Sequence, residues 1–259
     1  MSSSILQECH DGLTIISLNR AEKLNALSRE LIEELSERLK QLAGNQELRV
    51  VVLTGAGGRA FCAGTDLSEI AEADRAGALR ISERGQKLCD QIEAFPVPVI
   101  AAVNGIAAGG GCELALACHL RIASSEATFS LPETKLGMIP GYGGTQRLAR
   151  EIGKGRGLDM MLAGRTVRAQ EALDIGLVNR LTTTTDLLVA TASLASEIAQ
   201  LAPLAIRACL QAVTQGLEVT LEEGLALERE LFASLFDTDD VREGTAAFLE
   251  KRAPTFTGK

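Results

Sequence analysis

The sequence predicts an α/β fold that gives way to a helical C-terminal part. Apolar runs at Leu13–Leu18, 49–53 and Val99–Val103 read as buried strands. Between them lie stretches whose apolar residues recur three and four positions apart, the spacing of an amphipathic helix. From about residue 200 onward there is no strand pattern. Strands alternating with helices place the first part of the chain in the α/β class.

Each element has its own signal. LTIISL at Leu13–Leu18 is a short strand, followed by a charged turn. Ser28 heads a helix with Leu31, Ile32, Leu35, Leu39 and Leu42 on one face and Glu33, Glu34, Glu37, Arg38 and Lys40 elsewhere. RVVVL at 49–53 is a strand ending in the Gly/Ala turn at 54–58. Residues 78–95 have helical spacing at Leu79, Leu88 and Ile92, and Pro96 and Pro98 close the segment. VIAAV at Val99–Val103 runs into the Asn104-Gly105 turn and then Gly109, Gly110 and Gly111. A helix over 112–117 succeeds these glycines, and 120–123 and 127–131 read as two more short strands. Helices are expected at 144–151 and at 169–175, the second stopped by Gly176. Thr220-Leu221-Glu222-Glu223 fits a capping box, with Leu225, Leu227, Leu231 and Leu235 as the apolar positions beyond it. The predicted division is a core over 1–200 and a helical region over 201–259.

Composition narrows the function. The chain of 259 residues carries a formal net charge of −8, which disfavours nucleic acid and anionic membrane surfaces as partners. It has no Trp and one Tyr, a poor basis for base stacking. Six scattered Cys without a CxxC pair read as buried or free thiols in a reducing compartment. Two His make a His-rich metal site improbable. The N-terminus lacks the pattern of a signal peptide, and no uncharged apolar run reaches the roughly 18 residues of a membrane span. The expectation is a soluble cytoplasmic protein.

Three segments can carry chemistry. In the first, at 59–70 (RAFCAGTDLSEI), Ala63 and Gly64 allow close approach of a ligand to the backbone. The alternative reading is a helix start capped by Thr65 or Asp66. The second, at 104–117 (NGIAAGGGCELALA), places three successive glycines before a helix. The free N–H groups of that helix end suit an anion or a developing oxyanion. Glu113 sits in its first turn, either as a dipole partner or as a catalytic group. The third, at 130–148 (SLPETKLGMIPGYGGTQRL), carries Glu133 after a Pro, either as a loop carboxylate or as an acid–base group. Spacing alone does not bring the two glutamates together. There is no GxSxG elbow, P-loop or GxGxxG after a strand. Cys62 and Cys112 lie inside the motifs without a His partner and read as apolar fillers, and His10 and His119 read as structural.

Together these segments resemble the crotonase family, and enoyl-CoA hydratases in particular. The likeness begins with Leu18-Asn19-Arg20 and Lys23-Leu24-Asn25-Ala26-Leu27. It continues through 60–67, 104–116, Pro132-Glu133 and 137–148, and ends with Phe248-Leu249-Glu250-Lys251-Arg252. It implies a spiral of ββα units with a C-terminal helical trimerisation region, assembled as a homotrimer or homohexamer.

The resemblance also implies roles. The N–H groups of Thr65 and Gly110 would form the oxyanion hole for a thioester carbonyl. Ala63, Gly64, Asp66 and Leu67 would line the adenine and pantetheine path, and Lys23 and Leu24 would lie near the nucleotide end of coenzyme A. Gly141 would sit near the acyl group and the water. Phe248 and Lys251 would approach the ligand from the C-terminal region, their own or a neighbour's. Glu113 and Glu133 would be the catalytic pair of a 2-enoyl-CoA hydratase. No metal and no cofactor is implied, since coenzyme A arrives as part of the acyl-CoA substrate. The alternatives are enoyl-CoA isomerisation, hydration of a branched or dicarboxylic enoyl-CoA such as methylglutaconyl-CoA, or non-catalytic acyl-CoA or RNA binding. Thr65, Tyr142 and His119 depart from the common pattern, where Ala, a smaller residue and Asp are frequent.

Overall fold

The computed structural model describes residues 3–259. The chain opens with a hairpin that the apolar pattern does not reveal. β1 (Ile5–His10) pairs antiparallel with β2 (Leu13–Leu18). Asp11 (φ 42°) and Gly12 (φ 81°) form its turn, and two left-handed residues match the twist of the paired strands. Only Ile5 of β1 is buried, so the strand has no apolar run. α1 (Arg29–Ala43) comes next, with Ser28 Oγ accepting from the Leu31 N–H at 3.3 Å and the predicted leucine face buried.

Three ββα turns then wind the body of the protein. β3 (Val50–Gly55) and β4 (Ala60–Cys62) lead to α2 (Leu67–Ala71) and α3 (Arg75–Glu93). β5 (Val99–Val103) and β6 (Ile106–Ala108) lead to α4 (Gly110–Ala117). β7 (Leu120–Ser124) and β8 (Thr128–Ser130) lead to a 3-10 turn at Glu133–Leu136, then α5 (Gly144–Ile152) and α6 (Lys154–Ala163). β9 (Thr166–Arg168), α7 (Ala169–Asp174), β10 (Arg180–Thr182) and α8 (Leu187–Ala199) complete the body. The first strand of each unit joins a six-stranded sheet in the order β1-β2-β3-β5-β7-β10. The second joins a four-stranded sheet in the order β4-β6-β8-β9. Each unit therefore advances one position in both sheets, which is the expected spiral. Pairing is parallel except at β1–β2 and β8–β9.

β3 and β5 are buried along their whole lengths. Val51 and Leu53 face the core shared with α1, α3 and α4, while Val50 and Val52 face Leu187, Leu194 and Ala195 of α8. Burial on both faces is why these strands read as continuous apolar runs. α3 starts at Arg75, earlier than its apolar spacing suggests, because Asp74 Oδ1 caps it through the Gly77 N–H at 2.7 Å.

The C-terminal part is α9 (Pro203–Gly216), α10 (Leu221–Leu235) and α11 (Asp239–Glu250). The predicted capping box at Thr220 and Glu223 is formed. α9 and α10 pack on each other, and neither has a buried residue. Val213, Leu217, Leu221, Phe232 and Phe236 all face solvent.

Candidate active site

The three glycines at the start of α4 have separate geometric reasons. Gly109 has φ 51°, a left-handed conformation that turns the chain from β6 into the helix. A Cβ on Gly110 would lie 3.0 Å from the Tyr142 ring and 3.1 Å from Thr65 Oγ1. A Cβ on Gly111 would lie 2.0 Å from the Cys62 carbonyl oxygen. The helix start is thus pressed against β4 and the loop after it. α4 is buried along its whole length, so its N-terminal dipole acts with little solvent screening.

Glu113 is 2 % exposed. Its Oε1 accepts from the peptide N–H groups of Tyr142 at 2.8 Å and Gly144 at 2.6 Å. Burial pushes its carboxyl up to about 7, against the pull of those two donors, and the charge of Glu133 adds to the rise. The loop that supplies the donors is itself held. Ser82 Oγ and Gln86 Nε2, both on α3, donate to the Gly141 carbonyl at 2.6 and 3.2 Å. Arg147 donates to the Tyr142 carbonyl at 3.1 Å and pairs with Asp90 and Glu93 at 2.8 and 2.7 Å.

Glu133 starts the 3-10 turn after β8. β8 lies beside β6, and this pairing carries the turn to the start of α4. A Cβ on Gly109 would meet Glu133 Oε1 at 2.8 Å. Glu133 Oε2 is buried without a hydrogen-bond partner among the described residues. Burial raises its carboxyl above the ordinary carboxylate range. An unpartnered buried carboxyl oxygen favours the neutral acid.

Gly64 and Thr65 lie against Ala108 and Gly110. A Cβ on Gly64 would sit 2.8 Å from the Ala108 carbonyl and 3.4 Å from Gly110 N. Thr65 is held by a bridge to Leu27, in which Leu27 N–H donates to Gly64 O at 2.8 Å and Asp66 N–H to Leu27 O at 3.0 Å. That pattern leaves the Thr65 N–H outside the ladder, and the Gly110 N–H, at the first helical position, has no intrahelical acceptor. The Tyr142 ring is wedged between Gly110 and Gly85 of α3, where a Cβ would lie 2.1 Å from its Cδ1. Its hydroxyl is buried beside Thr65 without a hydrogen bond of ordinary geometry, and burial pushes the phenol up to about 12.

Glu113, Glu133, Thr65, Gly110, Ala63, Gly64, Leu67 and Gly141 all line one cavity of about 670 Å³. A wider cleft of about 800 Å³ between α1 and α3 is lined mainly by charged side chains and contains neither glutamate. Other predicted residues lie outside the cavity wall. Asp66 caps α2 through the Ser68 N–H and pairs with Arg20 at 3.0 Å, which is the capping alternative that the sequence left open. Lys23 and Leu24 form a tight turn in which the Leu24 carbonyl accepts from Ala63 N–H at 3.0 Å. Buried Asn25 fastens that turn to the carbonyls of Ala56 and Ala60 at 3.0 and 2.9 Å. Phe248, 84 % exposed, and Lys251 stand at the end of α11, away from this chain's cavity wall.

Sequence reasoning missed the Tyr142 and Gly144 donors and the Ser82–Gln86 brace. The cluster Gly141-Tyr142-Gly143-Gly144 was the available signal, since a turn at the left-handed Gly143 (φ 106°) lets the flanking Tyr142 and Gly144 N–H groups both reach Glu113. His119 is structural. Its Nδ1 accepts from the Val99 N–H at 2.8 Å and its Nε2 donates to the Glu93 carbonyl at 3.1 Å, joining α3 to β5. Cys62 and Cys112 are fully buried, and burial pushes both thiols up, Cys62 to about 12.

Residues 8–259 match the family described as enoyl-CoA hydratase/isomerase. The chain is 38 % identical to a short-chain-enoyl-CoA hydratase of Clostridium acetobutylicum, with 96 % of each chain covered. It is 42 % identical to a 2,3-dehydroadipyl-CoA hydratase of Escherichia coli, covering 99 % of this chain and 100 % of that one. The solved enoyl-CoA hydratase of Bacillus anthracis superposes with a TM-score of 0.96 at 41 % identity, over 99 % of this chain and 100 % of the other. On fold, motifs and full-length likeness, the chain belongs to the enoyl-CoA hydratase/isomerase family.

Proposed function

We propose that this protein is a 2-enoyl-CoA hydratase, adding water across the 2,3 double bond to give a 3-hydroxyacyl-CoA. The observation that carries the reading is the pair Glu113 and Glu133 on one cavity wall, in environments that suit different protonation states. Glu113, held by two N–H donors, is the carboxylate. It takes a proton from water as the water oxygen attacks C3. Glu133, with an unpartnered oxygen, is the acid and delivers its proton to C2. The thioester oxygen gains negative charge in between and is stabilised by the N–H groups of Thr65 and Gly110. Loss of one such donor typically costs about 10²–10³ in rate. One proton and one hydroxyl are added, and the two carboxyl groups exchange protonation states and reset through solvent.

Coenzyme A enters as part of the substrate, and addition of water needs no redox cofactor. Lys23 and Leu24 would hold the nucleotide end, and their link to Ala63 through the Leu24 carbonyl supports that reading. The exposed apolar side chains of α9 and α10 support assembly of copies into a trimer or a pair of trimers. In that assembly Phe248 and Lys251 would reach a neighbour's ligand.

The test is loss of the conjugated enoyl-thioester absorbance with a series of 2-enoyl-CoAs. Glu113→Gln and Glu133→Gln should each abolish it while retaining acyl-CoA binding. Hydration that survives either substitution would show that the pair is wrongly assigned.

A further inference from the structure

Beyond the glutamates the cavity continues along α2 and α3, where Ile70, Ala73, Ala78 and Ile81 line it. The polar groups on this wall are neutral and engaged, since Ser82 and Gln86 both donate to the Gly141 carbonyl. Among the described residues no Lys, Arg or His lines the cavity, and its only carboxyl side chains are Glu113 and Glu133. Arg80, Arg84 and Lys87 line the outer cleft between α1 and α3, and Arg84 is paired with Glu69. Arg147, behind the 140–144 loop, is paired with Asp90 and Glu93 at 2.8 and 2.7 Å.

We propose, resting on the hydratase reading above, that the acyl pocket takes a neutral aliphatic tail and rejects a tail that ends in a carboxylate. An aliphatic chain gains from leaving water along this wall. A distal carboxylate loses its hydration there and finds no cation to replace it. It also meets Glu113, whose ionised form the reaction needs, as a like charge. This selects between two substrate classes that share the same thioester chemistry.

The test compares hexanoyl-CoA with adipoyl-CoA by calorimetric titration of the whole protein. The two share coenzyme A, thioester and a six-carbon chain, and differ in the terminal carboxylate. Adipoyl-CoA is expected to bind at least about 100-fold more weakly. Equal affinity, tighter adipoyl-CoA binding or binding of neither overturns the proposal. Turnover is read separately with trans-2-hexenoyl-CoA and 2,3-dehydroadipyl-CoA, again with a loss of at least about 100-fold for the second. If hexanoyl-CoA binds selectively but neither enoyl-CoA is hydrated, the hydratase reading fails and the tail selectivity stands. Ala78→Lys, at an exposed position of α3, supplies the missing cation. It should raise the affinity for adipoyl-CoA relative to hexanoyl-CoA at least about tenfold. An unchanged ratio of the two affinities in that variant shows that the tail does not lie along this wall.

Discussion

Replacing Glu113 by Gln should stabilise the protein at alkaline pH, and the gain should vanish on acidification. The unfolded carboxyl titrates near 4.5 and the native one near 7. At about 1.36 kcal/mol per pH unit, the interval from 4.5 to about 7 corresponds to about 3.4 kcal/mol. Because the native value is the higher one, the native state holds a proton that the unfolded chain has lost throughout that interval. The stabilising contribution of Glu113 is therefore fully present below pH 4.5 and is lost as pH rises through about 7. Gln keeps the Oε1 that accepts from Tyr142 and Gly144 but does not titrate. Urea unfolding of both proteins at one fixed protein concentration, from about pH 4.5 to about pH 8, measures the difference. The variant's stability relative to the parent should rise by about 3 kcal/mol from the acid to the alkaline end. Any constant penalty of the amide cancels in that slope. A difference flat to within about 0.5 kcal/mol, or a slope of opposite sign, would refute the idea that burial outweighs the two N–H donors.

Catalysis should track the same ionisation. kcat/KM for a 2-enoyl-CoA should rise with pH through about 7 as Glu113 becomes a carboxylate. A rate independent of pH across that range would remove Glu113 as base. Gly144→Ala puts a Cβ 2.8 Å from Glu113 Cγ and 2.9 Å from its Oε1. It should lower kcat about 100-fold by displacing the carboxylate, with an unchanged circular dichroism spectrum. Gly85→Ala drives a methyl into the Tyr142 ring and should destabilise by about 1–3 kcal/mol. In a Tyr142→Ala background the same change should cost less than half as much, as a double-mutant cycle would read. Leu217→Asp combined with Phe236→Asp should lower the mass seen in sedimentation equilibrium if the exposed face of α9 and α10 joins copies.

Burial decided which elements were legible in the sequence. β3 and β5 are covered on both faces and α1 on one, so their patterns are long and unmixed. β4, β6, β9 and β10 have three residues each, too few to establish a period of two, whereas the equally short β8 shows because buried Ala127 and Leu131 extend its run. α6 was invisible for another reason. Its KGRGLDMMLA stretch has two glycines of low helix propensity, and one of them, Gly157, lies where a Cβ would stand 3.2 Å from the Ala149 Cα of α5. Close packing of two helices requires the residue that hides one of them. Phe248 and Lys251 do not line this chain's own cavity.

The pairing of Glu113 with Glu133 was illegible from spacing because it is made by sheet topology. β6 and β8 are neighbours in the smaller sheet, and each leads at once into a glutamate-bearing turn or helix. Adjacent parallel strands end on the same side, so the turn and the helix that succeed them meet there. Several locally unfavourable features gather at that meeting point. Glu113 is buried at a cost that its two donors offset in part, and Glu133 carries an orphaned oxygen. Tyr142 hides a hydroxyl, and three successive glycines give up backbone entropy. A fold selected for stability alone would replace most of these. Their concentration around one cavity, with Glu113 and Glu133 20 residues apart in sequence yet on the same wall, is the physical argument that the wall is kept for chemistry.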